Sequence, residues 1–187
     1  MEVSLSTNNR INDGLTSVYY INKKKELMGI SYLYNHIGQI ISQTCVKKYY
    51  HGPEMEWYDN GEIKYIKYYK DGKKDGPHME WRETGILATI ENYKNNKIDG
   101  IYQKWYTNGQ LELETFYKEG CYHGLYRLWS PNGQLLVEKN YLLGKKNGNY
   151  EQYYTNGQIK MKCVFADDVV SGDCELWRSD GEQKKKN

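Results

Sequence analysis

The feature that most constrains this chain is a 24-residue period marked by glycine. The opening glycines of successive units are 24 residues apart, as 76−52, 100−76, 124−100, 148−124 and 172−148 show: Gly52, Gly76, Gly100, Gly124, Gly148 and Gly172. A second glycine follows each of them nine residues later: Gly61, Gly85, Gly109, Gly133, Gly157 and Gly181. A fixed period of this length predicts a repeat architecture, in which each unit packs against its neighbours.

Two aromatic columns and one aliphatic column follow the same period. Numbered from the opening glycine as position 0, position 5 holds Trp57, Trp81, Trp105, Trp129, Tyr153 and Trp177. Position 17 holds Tyr69, Tyr93, Tyr117, Tyr141 and Phe165. Position 11 holds Ile63, Leu87, Leu111, Leu135 and Ile159. We expect the aromatic columns to stack between repeats, and the alternative is an exposed stripe that binds a partner.

Each unit has the pattern of a β-hairpin. In the unit that opens at Gly100, a short first strand ends at Asn108 and Gly109, which supply the positive φ values of a tight turn. The second strand, 111–117, alternates apolar and polar residues, and a turn rich in Lys, Asp, Asn and Gly follows it, most clearly at 70–76. A tight first turn predicts that Leu111 lies opposite Tyr106, and position 13 opposite position 4. The helical period is absent from the sequence.

These units resemble the variant class of MORN repeats, over roughly residues 29–181. The resemblance rests on EWYDNGEIKYIKYYKDGKKDG, KWYTNGQLELETFYKEGCYHG and QYYTNGQIKMKCVFADDVVSG. It implies an all-β, elongated single-layer solenoid of tandem antiparallel hairpins. The class occurs in bacterial proteins, some of them antitoxin-like, and in large DNA viruses of protists, and MORN repeats are also associated with membranes and phospholipids.

The period divides the chain into three parts. Residues 1–28 are expected to be a flexible start and a degenerate cap repeat, because Gly14 precedes Gly29 by 15 residues, the distance from Gly61 to Gly76. Residues 29–181 form the repeat array, and 182–187 are a charged tail.

The composition favours a thin aromatic layer over a deep core. Of 187 residues only 39% are hydrophobic, and the mean hydropathy is −0.91. The apolar surface is concentrated in 20 Tyr, 5 Trp and 2 Phe. A net charge of +2 indicates no strong field for nucleic acid or membranes. Stacked hairpins would make a twisted ribbon of about 60 to 70 Å.

Neither a signal peptide nor a long apolar run is visible, so we expect an intracellular protein, in the cytoplasm, or in host cytoplasm or virion for a virus. The cysteines form no C-x-x-C pair, which argues against zinc and a disulfide framework. We therefore expect reduced thiols. If the turn after Asp167 is centred on Asp168 and Val169, Cys163 lies opposite Cys174. We then expect two reduced cysteines side by side and not a disulfide.

The sequence does not indicate a catalytic, metal or cofactor site. The histidines occupy four different repeat positions, which argues against a shared metal site: His36, His51, His78 and His123. Four glutamates could be imagined as paired carboxylates, but a solvated sheet face explains them better: Glu54, Glu56, Glu112 and Glu114. We expect a non-enzymatic protein without cofactors.

The function expected from these features is protein binding, as a scaffold or interaction module whose long surface or groove holds a partner protein or a second copy of the chain. Unpaired edge strands favour such a homodimer. Two alternatives remain: an antitoxin-like inhibitor of a partner protein, and a phospholipid-binding or nucleic-acid-binding module. The second would use lysine-rich turns and the tail: Lys73, Lys74, Lys145, Lys146 and Lys184 to Lys186. A high content of Asn, Lys, Ile and Tyr suggests an AT-rich genome, bacterial or viral.

Overall fold

The computed structural model describes residues 6–7, 15–21, 27–35, 38–46 and 50–184. The expected flexible start, Gly14, His36 and the last lysines of the tail lie outside these ranges. The chain forms two compact units, the first made of Met1–Ala88 with Asn92–Lys97 and the second of Thr89–Glu91 with Ile98–Asn187.

In the first unit each strand pairs antiparallel with the next strand in sequence. Aromatic and aliphatic residues typical of strands recur in them, and the described turns at Gly38, Gly61 and Gly72 contain glycine. The strands are β1 (Ser6–Thr7), β2 (Leu15–Ile21), β3 (Leu27–Tyr34), β4 (Ile40–Val46), β5 (Tyr50–Trp57), β6 (Ile63–Lys70) and β7 (Lys73–Trp81).

The second unit repeats this arrangement, and residues of the next two strands, β8 (Leu87–Lys94) and β9 (Lys97–Trp105), are divided between the units. The remaining strands are β10 (Leu111–Lys118), β11 (Cys121–Trp129), β12 (Leu135–Leu142), β13 (Lys145–Tyr153), β14 (Ile159–Ala166), β15 (Val169–Val170) and β16 (Glu175–Leu176). No helix occurs within the described ranges. The predicted all-β fold of consecutive antiparallel hairpins is confirmed.

The first turn of each repeat is one residue longer than a two-residue hairpin. In the repeat that opens at Gly100, Gly109 N donates to Tyr106 O at 3.0 Å and Tyr106 N donates to Gln110 O at 2.8 Å. Gly109 has φ 83°, whereas Asn108 is absent from the positive-φ residues. The prediction that Asn and Gly both adopt positive φ was wrong, because this is a three-residue loop that ends in a glycine bulge.

The longer loop changes the register of the hairpin. Leu111 lies opposite Trp105, and Leu113 lies opposite Lys104. The predicted pairing of Leu111 with Tyr106 was therefore wrong, while that of position 13 with position 4 is confirmed. Glu112, at position 12, lies in the bulge between Leu111 and Leu113. Its side chain reaches the same side of the sheet as that of Lys104, at position 4, and Lys104 Nζ lies 2.9 Å from Glu112 Oε1.

Two-residue turns with two positive φ values occur instead at the second turn of each repeat. Glu119 and Gly120 have φ 51° and 88°, and Leu143 and Gly144 have φ 49° and 89°. These are the values of a type I′ turn.

The opening glycine of each repeat lies at a β-bulge. Between β10 and β11 the register shifts between Thr115, opposite Tyr126, and Tyr117, opposite Tyr122, so Gly124 lies in the bulge. Its φ is 77°, a conformation that L side chains rarely adopt. The 24-residue glycine columns therefore mark one bulge and one turn per repeat.

Side chains from the first turn bind the repeat that follows. Tyr106 Oη donates to Trp129 O at 2.7 Å, and Asn108 Nδ2 donates to Pro131 O at 2.7 Å. The same two bonds recur 48 residues earlier and later, made by Tyr58 and Asn60 and by Tyr154 and Asn156. Every second repeat thus ties its turn to the next.

The structure confirms that the sheet has little enclosed core. Among residues 30, 32–35, 38–44 and 50–184, whose burial is described, Cys163 is the one apolar side chain that is buried, at 5% exposed. Most strand side chains in these ranges are half-buried, so they remain partly open to solvent.

A disulfide joins Cys163 and Cys174, whose Cα atoms are 4.5 Å apart. The expectation of reduced thiols is corrected here. The turn is centred on Asp167 and Asp168, with φ 50° and 70°, rather than on Asp168 and Val169. β16 returns to β14, with Leu176 opposite Met161, and this pairing brings the two cysteines together.

Candidate interaction surface

The strand register assigns each repeat position to one of two sheet faces. Residues directly opposite each other in antiparallel strands share a face, and in β9 to β14 positions 2 and 15 alternate along one continuous row: Tyr102, Thr115, Tyr126, Lys139, Tyr150 and Cys163. We call this side, with positions 4, 13 and 17, face A. Positions 1, 3, 14 and 16 make face B.

On face A of the second unit, five tyrosines form a connected group of rings, here named the tyrosine cluster. Tyr117 contacts Tyr102 at 5.9 Å and Tyr122 at 4.6 Å between ring centroids. Tyr122 stacks on Tyr141 at 5.0 Å, and Tyr126 meets Tyr141 edge-on at 6.1 Å. All five rings are half-buried, so each keeps a surface that another molecule can contact.

A lysine completes the cluster. Lys139 Nζ lies 4.2 Å from the ring centroid of Tyr126 and 5.2 Å from that of Tyr141. Burial, and then the hydrogen bond with Tyr122, raises the pKa of Tyr117, and burial also raises the pKa of Tyr126. The hydroxyls therefore stay protonated at neutral pH and can donate hydrogen bonds.

Face B of the second unit carries ionic and polar pairs instead. Gln103 Nε2 donates to Glu114 Oε2 at 2.7 Å, Arg127 Nε donates to Glu138 Oε2 at 2.7 Å, and Arg127 Nη1 lies 3.9 Å from Glu114 Oε1. Farther along, Lys162 Nζ lies 3.1 Å from Glu151 Oε1. Positions 3 and 14 thus form a polar ladder across the strands.

In the first unit, face A is the charged one. Glu54, Lys67 and His78 lie directly opposite one another in β5, β6 and β7, at the positions that carry Tyr102, Thr115 and Tyr126 in the second unit. Burial, and then the charges of Lys74 and Lys67, lowers the pKa of His78 to about 4. The His78 ring is 5% exposed and lies 5.3 Å from that of Tyr93.

Beside this row, Lys64 Nζ donates to Glu56 Oε1 at 2.6 Å. Burial alone would raise the pKa of Glu56, but hydrogen bonds from Lys64 and Tyr65 lower it overall. Burial, followed by the charge of Glu54, raises the pKa of Tyr69 to about 12.

Face B of the first unit is apolar. Met55, Ile66 and Met79 lie opposite one another at positions 3 and 14, and Pro53 lies opposite Tyr68 at positions 1 and 16. All five are half-buried. Positions 3 and 14 are therefore apolar in the first unit and polar or charged in the second.

The two aromatic columns named as candidate site residues make different contacts in the structure. Position 17 supplies rings to the contacts on face A, as for Tyr117, Tyr141 and Phe165. At position 5, Trp81, Trp129 and Trp177 accept a tyrosine hydroxyl bond at their backbone carbonyls.

The histidines and glutamates considered in the sequence lie apart. His51 Nδ1 is 3.4 Å from Asp71 Oδ1, and the His123 ring is 6.5 Å from Phe116. Glu56, Glu112 and Glu114 all have lysine, arginine or glutamine partners. Over the described residues, no group of three or more His, Cys, Asp or Glu is placed to hold a metal ion.

Two of the lysines considered for phosphate binding already contact rings. Lys74 Nζ lies 4.8 Å from the ring of Tyr93, and Lys146 Nζ lies 4.8 Å from that of Phe165. In the part of the chain that is described, no helix is long and apolar enough to cross a membrane.

The profile of the MORN repeat variant matches four segments of this chain, residues 50–71, 98–119, 122–142 and 146–167. The chain is a tandem MORN repeat protein of the variant class. Each match covers the two strands of one hairpin and the first turn between them. MORN repeats are generally non-enzymatic modules that interact with proteins or membranes. No curated protein matches the chain.

A further MORN-like hairpin, β7 and β8, lies between the first two matches. Its first turn has the same hydrogen bonds, with Gly85 N donating to Arg82 O at 2.8 Å and Arg82 N donating to Ile86 O at 2.8 Å. The turn at Gly38, in the degenerate repeat that opens at Gly29, also has these two hydrogen bonds, at 3.0 Å and 2.9 Å. The geometry extends beyond the segments that the profile matches, because the glycine and the strand pattern suffice for it.

Two features were not predicted from the sequence: the change in side-chain chemistry at positions 2 and 3 between the two units, and the contact of Lys139 with the tyrosine cluster. The signal was available in the columns: position 3 reads Met55, Met79, Gln103, Arg127 and Glu151, and position 2 reads Glu54, His78, Tyr102, Tyr126 and Tyr150. Strand alternation alone puts these two columns on opposite faces, and the register shows which residues of the neighbouring strands share each face.

Proposed function

We propose that this MORN repeat protein is a non-catalytic scaffold whose tyrosine cluster binds a protein partner. The observation that carries the proposal is a connected group of five half-buried rings with Lys139 beside them, on a sheet face without a covering layer. Tyrosine is enriched where protein surfaces bind, because its ring buries apolar area at low entropic cost and its hydroxyl forms hydrogen bonds.

The test is affinity capture from the native cell with two matched variants of adjacent residues. Tyr126→Glu places on face A the residue that the first unit carries at this position, Glu54. Arg127→Met places on face B the residue that the first unit carries there, Met55. Both substitutions are natural to the repeat, so both chains should fold.

We expect a client protein that wild type and Arg127→Met retain at high salt and that Tyr126→Glu binds at least tenfold more weakly. Equal capture by all three proteins would refute the assignment of the cluster. A second copy as the client would appear as a dimer in light scattering that Tyr126→Glu dissociates.

Phospholipid or nucleic-acid binding is the outcome that would replace this proposal. Its sign would be lipid or RNA that leaves the protein as salt rises, because screening weakens contacts of lysine with phosphate. If the captured client is a toxin-like enzyme that the bound chain inhibits, the result would support the antitoxin-like function instead.

A further inference from the structure

A cavity of about 380 Å³ lies in the first unit, on face A. Leu33, Ile41 and Trp57 supply its apolar lining, and Ser42 lies among them. Ligand sites span about 300 to 1,000 Å³, so this cavity suits one side chain better than a large ligand.

The cavity lies beside one small residue, Ser42, in the degenerate repeat that opens at Gly29. Ser42 lies opposite both Leu33 and Glu56, 13 residues after Gly29. The other repeats carry larger side chains at position 13: Tyr65, Thr89, Leu113, Val137 and Met161. A serine at this position leaves unfilled the volume that leucine occupies in the second unit.

The polar lining is acidic. It includes Glu56, Asp59 and Lys64, with charges of −1, −1 and +1 and a sum of −1. Lys64 is bound to Glu56 at 2.6 Å, which leaves the exposed carboxylate of Asp59, on the turn after Trp57, as the excess charge. A cation is therefore the preferred occupant.

The walls are held in place before any ligand arrives. Tyr58, which also lines the cavity, donates its hydroxyl to Trp81 O at 2.8 Å, and Lys64 Nζ lies 5.8 Å from its ring. A rigid wall lowers the entropic cost of binding.

We propose that this cavity is a receptor for an arginine side chain of a partner protein. The apolar lining takes the aliphatic stem, the indole of Trp57 offers a face for the planar guanidinium, and Asp59 supplies a carboxylate for its N–H donors. The inference rests on the proposed scaffold function and adds a recognition element for its client.

The experiment titrates full-length protein with the capped tripeptide acetyl-Gly-Arg-Gly-amide and follows the indole N–H signals by NMR. We expect the Trp57 signal to move with the arginine peptide. The same peptide with citrulline, which has nearly the same shape without the charge, should bind at least tenfold more weakly.

Two variants locate the site. Ser42→Leu fills the cavity and should abolish the response, whereas Thr89→Leu enlarges the same repeat position elsewhere and should leave it unchanged. Asp59→Asn, on an exposed turn that tolerates the change, should weaken binding about fivefold. Unchanged binding in Ser42→Leu or Asp59→Asn, equal binding of citrulline, or no response in wild type overturns the inference.

The result is separable from the test of the tyrosine cluster. A client captured through Tyr126 by a protein that ignores the arginine peptide leaves the scaffold function standing without this site. A peptide response that Ser42→Leu removes, in a protein that captures no client, leaves the arginine site standing without that function.

Discussion

The first and second units repeat the same hairpin and differ in side-chain chemistry at positions 2, 3 and 14. In the first, face A carries Glu54, Lys67 and His78 while face B carries Met55, Ile66 and Met79. In the second, the tyrosine cluster occupies face A, and the polar ladder around Arg127 occupies face B. Positions 3 and 14 are therefore apolar in the first unit and polar or charged in the second, and position 2 changes from Glu54 and His78 to tyrosine.

This difference shows which positions the fold requires. Turn and bulge glycines keep positive φ in both units, as at Gly61 and Gly109 with φ 87° and 83°. Face positions are free to change, because each side chain is only half-buried and contributes little packing energy of its own. A sheet without a covering layer can thus present different surfaces along one repeated backbone.

The largest effect should come from what the units share. Gly61→Val in the first unit and Gly109→Val in the second should each lower the free energy of unfolding by about 3 kcal/mol, because a β-branched residue is strained at positive φ. Urea denaturation measures it.

The neighbouring substitutions Glu62→Val and Gln110→Val are the controls and should cost less than about 1 kcal/mol. Valine tolerated at either glycine would show that the turn is not common to both units.

A smaller, acid-dependent effect should be confined to the first unit. The pKa of His78 is about 4 in the folded protein, below about 6.5 in unfolded chains, so the unfolded state takes up the proton first as pH falls. Stability should be complete above pH 6.5 and should decline toward pH 4, by at most about 3 kcal/mol.

Amide exchange of β6 and β7, compared with β11 and β12 over this pH range, measures the decline. His78→Tyr, which places the residue of Tyr102 at this position, should remove that part of the pH dependence. An identical acid response in the variant would assign the decline to other groups.

The smallest effect should come from exchanging the face chemistry itself. Ile66→Glu puts a carboxylate between two methionines and should cost about 1 to 2 kcal/mol, since half of an apolar side chain's burial is lost. Adding Met79→Arg, the counterpart of Arg127, should recover about 0.5 kcal/mol through a cross-strand pair.

A double-mutant cycle by urea denaturation measures this coupling. Zero coupling would mean that the ladder of the second unit depends on more than the directly opposite pair.

Much of the fold could be read from particular residues. Gly52 to Gly181 gave the repeat length, and the alternation in 111–117 predicted strands, because glycine conformation and side-chain alternation act within a few residues. The turn types could not be read in this way. Asn108-Gly109 is compatible with a two-residue or a three-residue loop, and cross-strand hydrogen bonds decide between them.

The candidate site was predicted in part. The position 17 aromatics were named, and the structure places Tyr117 and Tyr141 in the tyrosine cluster. Tyr122, Tyr126 and Lys139 were not, because they belong to other columns, which the pairing of β10, β11 and β12 brings beside position 17. The Ser42 cavity was not predicted either. A small residue in the degenerate repeat that opens at Gly29 only departs from the repeat pattern, and this departure does not indicate a cavity.

The sequence by itself determined the family, the period and the succession of hairpins, since glycine torsions and strand alternation are local properties. Tertiary structure decided which residues share a face, that Cys163 meets Cys174, and where a cavity opens beside Trp57. These outcomes depend on register, and one extra residue in a turn or bulge changes which side chains lie opposite each other.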